Sequence, residues 1–229
     1  MSDLYICYIE VLVPALLAVA YGQWAVMRRH KHLYFTMGML AIVCLMIGQL
    51  AYCTTGLSGH TEFREFHIGS LGSVGSCLFF LSANTGPVND LADGGRLPRK
   101  WRLLALLGPA AALLLYGVCG WAMVRQRATV GLVTGLCLTG VTAVSLYYST
   151  LMAIVPDKDW GFIDQMRPYN SAVTLLGLLN TLERGLRGLW MSASLAERLA
   201  MFLLYGAMGL CTLAVVILLK RGAARWERT

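Results

Sequence analysis

The sequence predicts an all-α membrane protein, a bundle of about seven transmembrane helices that forms one domain over residues 1–229. Of its 229 residues, 57% are hydrophobic and 14% are charged, and the mean hydropathy is +0.62, which makes lipid the expected solvent. Apolar runs of about 20 residues, the length that crosses a hydrocarbon core roughly 30 Å thick, recur along most of the chain. Lys and Arg cluster between these runs, as they do in the loops of membrane proteins.

The first three spans are predicted near residues 7–27, 33–53 and 67–85. Basic residues in 28–32 end the first apolar run, and the second run begins directly after them, which predicts a tight hairpin. Residues 54–66 form a polar connection to the third run. That third run is rich in Gly and Ser, a composition that favours close helix packing or a cavity.

The last four spans are predicted near residues 103–124, 130–155, 169–190 and 199–219. Residues 86–102 are expected to form the longest loop, because four helix breakers interrupt this stretch. The breakers are Pro87, Gly94, Gly95 and Pro98. The span near 169–190 is the most polar one, and the chain ends on the side opposite its start only if this segment crosses the membrane.

The distribution of basic residues predicts an N-terminus outside and a C-terminus inside. The expected protein is a multi-pass protein of a bacterial-type cell membrane, such as a cell inner membrane. With this orientation, thirteen of the nineteen Lys and Arg residues lie on the inner side, as the positive-inside rule requires. The thirteen are Arg28, Arg29, Lys31, Arg96, Arg99, Lys100, Arg102, Lys158, Arg167, Lys220, Arg221, Arg225 and Arg228.

The sixth predicted span carries charged residues, which are costly at membrane depth and usually mark functional positions. Glu183 and Arg187 are one helical turn apart, with the acid first, the favourable order for a pair. One hypothesis is that Glu10 of the first span meets Arg184 or Arg187 in a polar pocket that opens outward. The alternative is that these charges lie at the lipid headgroups and remain hydrated. The candidate ligand-pocket residues are Glu10, Asn180, Glu183, Arg184 and Arg187.

Two groups of glycines predict close contacts between helices. Gly69, Gly72 and Gly75 alternate with serines at the start of the third span, where small residues let helix backbones approach. Gly131 and Gly135 in the fifth span have the GxxxG spacing, which is typical of helix packing and, in a sharper interpretation, of a homodimer contact.

Several functional classes are not expected. The chain has no basic stripe with interleaved aromatics, so nucleic acid is not a predicted partner. It contains no phosphate loop, HExxH or GxSxG motif, so no catalytic residue is assigned and an enzyme is not favoured. Its seven cysteines are scattered singly, without a CxxC motif, and are interpreted as packing residues. No metal site and no cofactor are predicted, because the four histidines do not provide paired haem ligands inside the spans.

One stretch resembles the middle of the seven-helix sensor regions at the N-terminus of some bacterial histidine kinases. The resemblance rests on Phe79-Phe80-Leu81, on Thr85-Gly86, and on Arg102 followed by an apolar run with Gly108-Pro109. It covers about 45 residues and implies a ligand-sensing bundle.

Other short stretches are similar to the membrane anchor subunit of bacterial dimethyl sulfoxide reductases. The similar residues are His67-Ile68-Gly69-Ser70, together with Glu183, Arg187-Gly188 and Trp190. This resemblance implies a non-catalytic anchor that interacts with quinol, although the spacing between the spans differs from that of the anchors.

The favoured function is a ligand-sensing or receptor-like seven-helix bundle with a polar intramembrane pocket. The alternatives are a membrane anchor or quinol-interacting subunit of an anaerobic oxidoreductase, and a small-solute transporter. Transport ranks third, because neither internal repeats nor matching broken helices are visible. Expected partners are membrane lipid, a small amphipathic ligand or quinol, and a second copy of the chain or a partner subunit.

Overall fold

The computed structural model describes residues 2–29, 32–57, 67–95, 97–125, 129–156, 161–187 and 195–227. These residues form helices and their connections, which confirms the predicted all-α class. The π-helix Gln23–Met27 continues α1, and only Leu106 separates α4 from α5, so the described residues form seven helical rods. The helices are α1 Ser2–Gly22, α2 Leu33–Leu57, α3 Gly69–Asp93, α4 Arg99–Ala105, α5 Leu107–Arg125, α6 Thr129–Ile154, α7 Phe162–Arg187 and α8 Leu195–Trp226.

Five of these rods are long and apolar enough to cross a membrane. These candidate spans are Ile6–Met27, Leu33–Thr55, Arg99–Trp121, Leu132–Ile154 and Arg198–Trp226. The two remaining rods, α3 and α7, are less apolar. Gly and Ser lower the hydropathy of α3, and charged residues lower that of α7.

Six helices form a ring in which each helix packs on the next. Around this ring α1 packs on α2, α2 on α3, α3 on α6, α6 on α7, α7 on α8, and α8 again on α1. The fifth helix lies outside the ring, in the groove between α6 and α7. As a consequence, α7 has three large neighbours, α5, α6 and α8.

The two ends of the bundle are named here after residues that lie there. At the Tyr8 end, where α1 begins, Tyr8 contacts Tyr52 of α2 and Tyr205 of α8. At the Trp226 end, where α8 stops, Trp226 contacts His32, just before α2. The start of α1 and the end of α8 therefore lie at opposite ends of the bundle.

The closest helix approach among the described glycines joins α2 to α3. A Cβ atom added to Gly72 would overlap the Cα atom of Gly48, and a Cβ on Gly48 would lie 2.6 Å from the carbonyl oxygen of Gly69. Such distances are possible only without side chains. Glycine at these positions therefore sets the separation of α2 and α3.

The prediction that residues 86–102 form a long loop is wrong. The third helix continues through Pro87 to Asp93, and α4 begins at Arg99. Proline removes one helix hydrogen bond, but Val88 and Leu91 are buried in the main core. Burial of these side chains keeps the chain helical beyond the proline.

The polar helix α7 likewise starts earlier than the predicted span, at Phe162 rather than at Tyr169, and contains Pro168. Phe162 and Met166 are buried in the main core. The apolar contacts of this first part of α7 extend the helix toward the Trp226 end. A hydropathy pattern alone does not reveal them, because Asp164 and Arg167 lie between the buried positions.

Candidate functional site

The second half of α7 lies inside the bundle. Every residue from 176 to 186 is buried or half-buried, whereas Ser171 and Leu175 of the first half are exposed. The fifth helix covers this half closely, because a Cβ on Gly185 would lie 2.5 Å from the Cβ of Cys119. Charged side chains described in this half are therefore surrounded by protein.

Glu183 is a buried acid on the enclosed half of α7, with 5% of its surface exposed. The hydroxyl of Tyr205 on α8 donates a hydrogen bond to its Oε1 atom over 2.6 Å. Tyr205 itself is fully buried, and its ring meets that of Tyr8 edge to face at 5.5 Å. A hydrogen bond to a charged acceptor is about twice as strong as a neutral one, so this contact ties α7 to α8.

A row of rings continues from this carboxylate across the Tyr8 end. Tyr8 stacks on Tyr52 with centroids 4.9 Å apart, and Tyr52 stacks on His67 at 4.3 Å. The hydroxyl of Tyr52 also shares a hydrogen bond with Ser70 Oγ at 2.7 Å. We call the rings of His67, Tyr52, Tyr8 and Tyr205 the aromatic row, which joins α3 to α8 and ends at the Glu183 carboxylate.

Glu10 lies on α1, close to α8 at the same end. A Cβ on Gly209 would lie 2.5 Å from the carbonyl oxygen of Glu10, so the two backbones are in close contact. The side chain is half-buried, and its Oε2 atom has no hydrogen-bond partner among the described residues. No ion pair joins Glu10 to Arg184 within that part of the chain, and the side chain of Arg187 lies outside it.

Arg184 extends toward α6 instead. It is 6% exposed, and its Nη1 atom donates to Thr142 Oγ1 over 2.9 Å. Thr142 in turn donates to the carbonyl oxygen of Leu138, and the Cys77 thiol of α3 lies 3.6 Å from the same hydroxyl. The Nη2 atom of Arg184 has no hydrogen-bond partner among the residues described.

A small cavity of about 10 Å³ lies next to Thr142, between α3, α6 and α7, and both apolar and polar side chains line it. The predicted pocket residue Asn180 lines it, with its Nδ2 atom donating to the carbonyl oxygen of Leu176 over 3.0 Å. The polar residues around the cavity are Ser76, Cys77, Thr142, Ser145, Ser149 and Asn180.

A different polar group connects α2, α3 and α7 toward the Trp226 end. The Tyr34 hydroxyl donates to Asn84 Oδ1 over 3.2 Å and accepts a bond from Asn170 Nδ2 over 3.0 Å. All three residues are buried. The Asn170 Oδ1 and Tyr169 hydroxyl atoms have no partner in the described part of the chain. These side chains are neutral, and the hydrogen bonds of Tyr34 connect α2 to α3 and to α7.

The structure divides the predicted pocket residues between two faces of α7. Glu183 faces α8 through Tyr205, whereas Asn180 lines the α6 side, where Arg184 binds Thr142. Glu10 lies near α8 and is not joined to Arg184 within the described residues. Among the described side chains, Glu183 and Arg184 therefore contact different helices and Glu10 is joined to neither, while the side chain of Arg187 lies outside the described residues.

The glycines singled out in the sequence lie at helix contacts where they are described. Gly69 and Gly72 pack against α2, and Gly75 lies beside Cys44 of the same helix. A Cβ on Gly135 would overlap the Tyr116 hydroxyl of α5, so this glycine makes a contact between two helices of the same chain. The surroundings of Gly131 lie outside the described residues.

Sequence reasoning missed two sets of site residues. One is the serine and threonine stripe on α6, whose members Thr139, Thr142, Ser145 and Ser149 recur every three or four residues and so share one helix face. That spacing was a usable signal. The other is the aromatic row, and tyrosines at the ends of apolar helices carry no comparable signal, because they are equally typical of membrane interfaces.

No group of metal-ligating side chains is present in the described ranges. The chain matches no protein-family model, no curated protein and no solved structure. The two local resemblances noted in the sequence thus rest only on the residues quoted for them.

Proposed function

We propose that the chain is a multi-pass protein of a bacterial cell membrane, in which seven helices span the bilayer and enclose a sensor site for a small amphipathic ligand. Its site is the Glu183 carboxylate with the aromatic row. In this proposal α7 spans as an inner helix, covered by α5, α6 and α8. The third helix spans with exposed Leu71 and Leu78 toward lipid.

The observation that carries the proposal is the buried carboxylate of Glu183 at the end of a row of stacked rings. Burying an acid costs free energy that a purely structural helix contact would avoid with an apolar side chain. Pockets for small ligands combine aromatic surfaces with a few placed polar groups. The Tyr8 end provides both, with Tyr8 and Tyr205 as surfaces and Glu183 as the polar group.

The proposed orientation places the Tyr8 end outside and the Trp226 end inside. Basic side chains described at or near the Trp226 end include those around the end of α1, at α4 and at the end of α8, as the positive-inside rule requires. These residues are Arg28, Arg29, Arg99, Lys100, Arg102, Lys220 and Arg221.

Protease accessibility of tags at the two termini, measured in sealed right-side-out vesicles, tests the orientation. Cleavage of both tags from the same side contradicts the seven-span arrangement.

The ligand site is tested with the full chain purified from its own membrane into nanodiscs. We expect a cryo-electron microscopy map, with an antibody fragment as a fiducial, to contain non-protein density beside Glu183 and Tyr205. The E183Q variant, which keeps the shape but removes the charge, should fold and lose that density, whereas E10Q should keep it. A wild-type map without such density contradicts the proposal.

A second candidate, a quinol-binding membrane subunit, is favoured by the same aromatic row. A quinol ring stacks on aromatic faces, and its hydroxyls donate to acceptors such as Glu183 or His67. The two functions differ in the extracted ligand. An oxidised-minus-reduced absorbance spectrum of the organic extract shows a quinone for the second candidate and none for the sensor.

A further inference from the structure

We propose that a groove between α4 and α6 binds an anionic phospholipid, with the phosphate on Arg99 and Arg102 and an acyl chain along the leucines that follow them. This goes beyond the proposed function, because the groove lies near the Trp226 end and needs no ligand beside Glu183. Its volume of about 660 Å³ is within the range of small-molecule sites. The residues that line it are Leu97, Arg99, Arg102, Leu103, Leu106 and Tyr147.

One face of α4 supplies most of this lining. Four of its residues have the spacing i, i+3, i+4 and i+7, which places them on the same side of a helix. They are Arg99, Arg102, Leu103 and Leu106. Leu106 follows the end of α4 but keeps helical backbone angles, with φ −65° and ψ −13°. The face therefore begins with two guanidinium groups and continues with two leucines, and Tyr147 on the neighbouring α6 completes the groove.

The two arginines of the groove are accessible to a ligand. Both side chains are exposed, and no carboxylate pairs with either of them among the described residues. Two guanidinium groups on one face match a phosphate, because arginine donates paired hydrogen bonds to phosphate oxygens. Lys100 does not line the groove, and its Nζ atom lies 5.1 Å from the centroid of the Trp101 ring. The groove therefore has a net positive charge, which favours an anionic headgroup over a zwitterionic one.

The leucines of the groove favour a lipid over a soluble phosphate compound. Leu103 and Leu106 are 55% and 49% exposed, and a small phosphate would leave them uncovered. Arg99 is the first residue of the candidate span Arg99–Trp121, so in a membrane the guanidinium groups lie at the surface. At 1.5 Å per residue, Leu106 lies about 10 Å further along the rod, at the depth of the acyl chains.

The proposed orientation places this groove in the inner leaflet. Basic pockets between membrane helices on that side are typical sites for anionic headgroups. An acyl chain along the leucines would cover apolar surface that the described residues leave open. The groove thus combines a phosphate site and an apolar surface in the order in which a phospholipid presents its headgroup and its chain.

The experiment is native mass spectrometry of the full chain, purified without bound lipid in a non-ionic detergent and titrated with one phospholipid at a time. We expect phosphatidylglycerol to bind at least about tenfold more tightly than phosphatidylcholine, because each basic residue near an anionic headgroup contributes about fivefold. Inorganic phosphate at the same concentration should not displace the lipid. Equal affinity for the two lipids overturns the anionic site, and displacement by phosphate overturns the lipid assignment.

The R99Q/R102Q variant should weaken the binding of phosphatidylglycerol about 25-fold, since it removes two such contributions. The matched control K100Q/R221Q removes two exposed basic residues that do not line the groove, so its affinity should stay close to that of the wild type. If R99Q/R102Q keeps the affinity of the wild type, or if both variants lose it equally, the groove is not the binding site.

Leucine variants test the acyl-chain part of the groove and keep both arginines. The L103Q variant should weaken phosphatidylglycerol binding about fivefold, because part of an apolar contact is lost. The control L104Q changes a leucine of similar exposure outside the groove and should keep the affinity. These variants also decide the matter if R99Q/R102Q does not fold. Equal affinities of L103Q and the wild type overturn the proposed placement of the lipid.

The lipid groove and the sensor site fail separately. Binding of phosphatidylglycerol that depends on Arg99 and Arg102, without density beside Glu183, removes only the sensor site. Density beside Glu183 without such lipid binding removes only the groove.

Discussion

At the two ends of the bundle, different kinds of polar contact connect the helices. Toward the Trp226 end, Tyr34 joins Asn84 and Asn170 through neutral hydrogen bonds. At the other end, α7 buries two charged groups, Glu183 and Arg184, against the hydroxyls of neighbouring helices. Neutral groups connect helices at modest cost, whereas buried charges need a compensating function or ligand. The group around Tyr34 therefore only connects helices, whereas the buried charges at the Tyr8 end are the reason for proposing a ligand site there.

The largest effect is expected from Gly72→Ala, which acts on the Tyr8 end through the α2 and α3 contact. The new methyl group would overlap Gly48, so the helices must separate at a cost of about 3 kcal/mol, at the upper end of typical overpacking. Unfolding of the purified full chain in detergent, followed by circular dichroism, measures the loss.

Gly86→Ala in the same helix is the matched control for this change. A Cβ at Gly86 meets no atom within 4 Å, and alanine is the better helix former by about 1 kcal/mol. Its stability should therefore be equal to that of the wild type or higher. Equal stability of the two variants would mean that the glycine contact does not set the helix separation.

The next largest effect is expected from Tyr205→Phe, which removes the donor to the buried Glu183 carboxylate. Loss of a hydrogen bond to a charged group costs about 1.5–3 kcal/mol. The same unfolding measurement gives the change, and the density beside Glu183 should weaken with it. A loss below that of a neutral bond would contradict a strong contact between Tyr205 and Glu183.

Tyr34→Phe is the same chemical change at the neutral group, and its effect should be smaller. It removes the hydroxyl between Asn84 and Asn170, at a cost of about 1 kcal/mol, as is typical of neutral bonds between helices. The density beside Glu183 should not change. If Tyr34→Phe were the more destabilising of the two, or altered that density, the division of roles between the ends would be wrong.

The smallest effect is expected from Asp164→Asn, which removes an exposed ion pair with Arg167 on the first turns of α7. Exposed pairs contribute about 0–1 kcal/mol, so the unfolding midpoint should hardly move. This variant tests the effect of a charged residue of α7 that is not buried. A large loss here would show that charges on α7 matter even where they are exposed.

Much of the fold followed from local properties of the chain. Apolar runs predicted helices at the correct places, because helix formation and burial both depend on side chains close in sequence. The prediction of a long loop at 86–102 was wrong because contacts between residues far apart in sequence determine the structure of this segment. Val88 and Leu91 pack against distant parts of the core, and such contacts outweigh the local effect of Pro87.

The candidate site could be predicted only in part. Charged residues within the sixth predicted span directed attention to Asn180, Glu183 and Arg184, because such groups are costly in lipid. Their partners Tyr205 and Thr142 were not predictable. They lie on α8 and α6, and nothing in the spacing of the charges indicates which helices lie beside α7.

The sequence by itself determined that this protein is helical, strongly apolar and charged within one polar helix. Only the tertiary structure decided that Glu183 faces Tyr205, that Arg184 faces Thr142, and that Glu10 is joined to neither within the described residues. The reason is geometric. Hydropathy and periodicity are properties of neighbouring residues, but the partner of a buried charge depends on the order of helices in the ring and on the rotation of each helix about its axis.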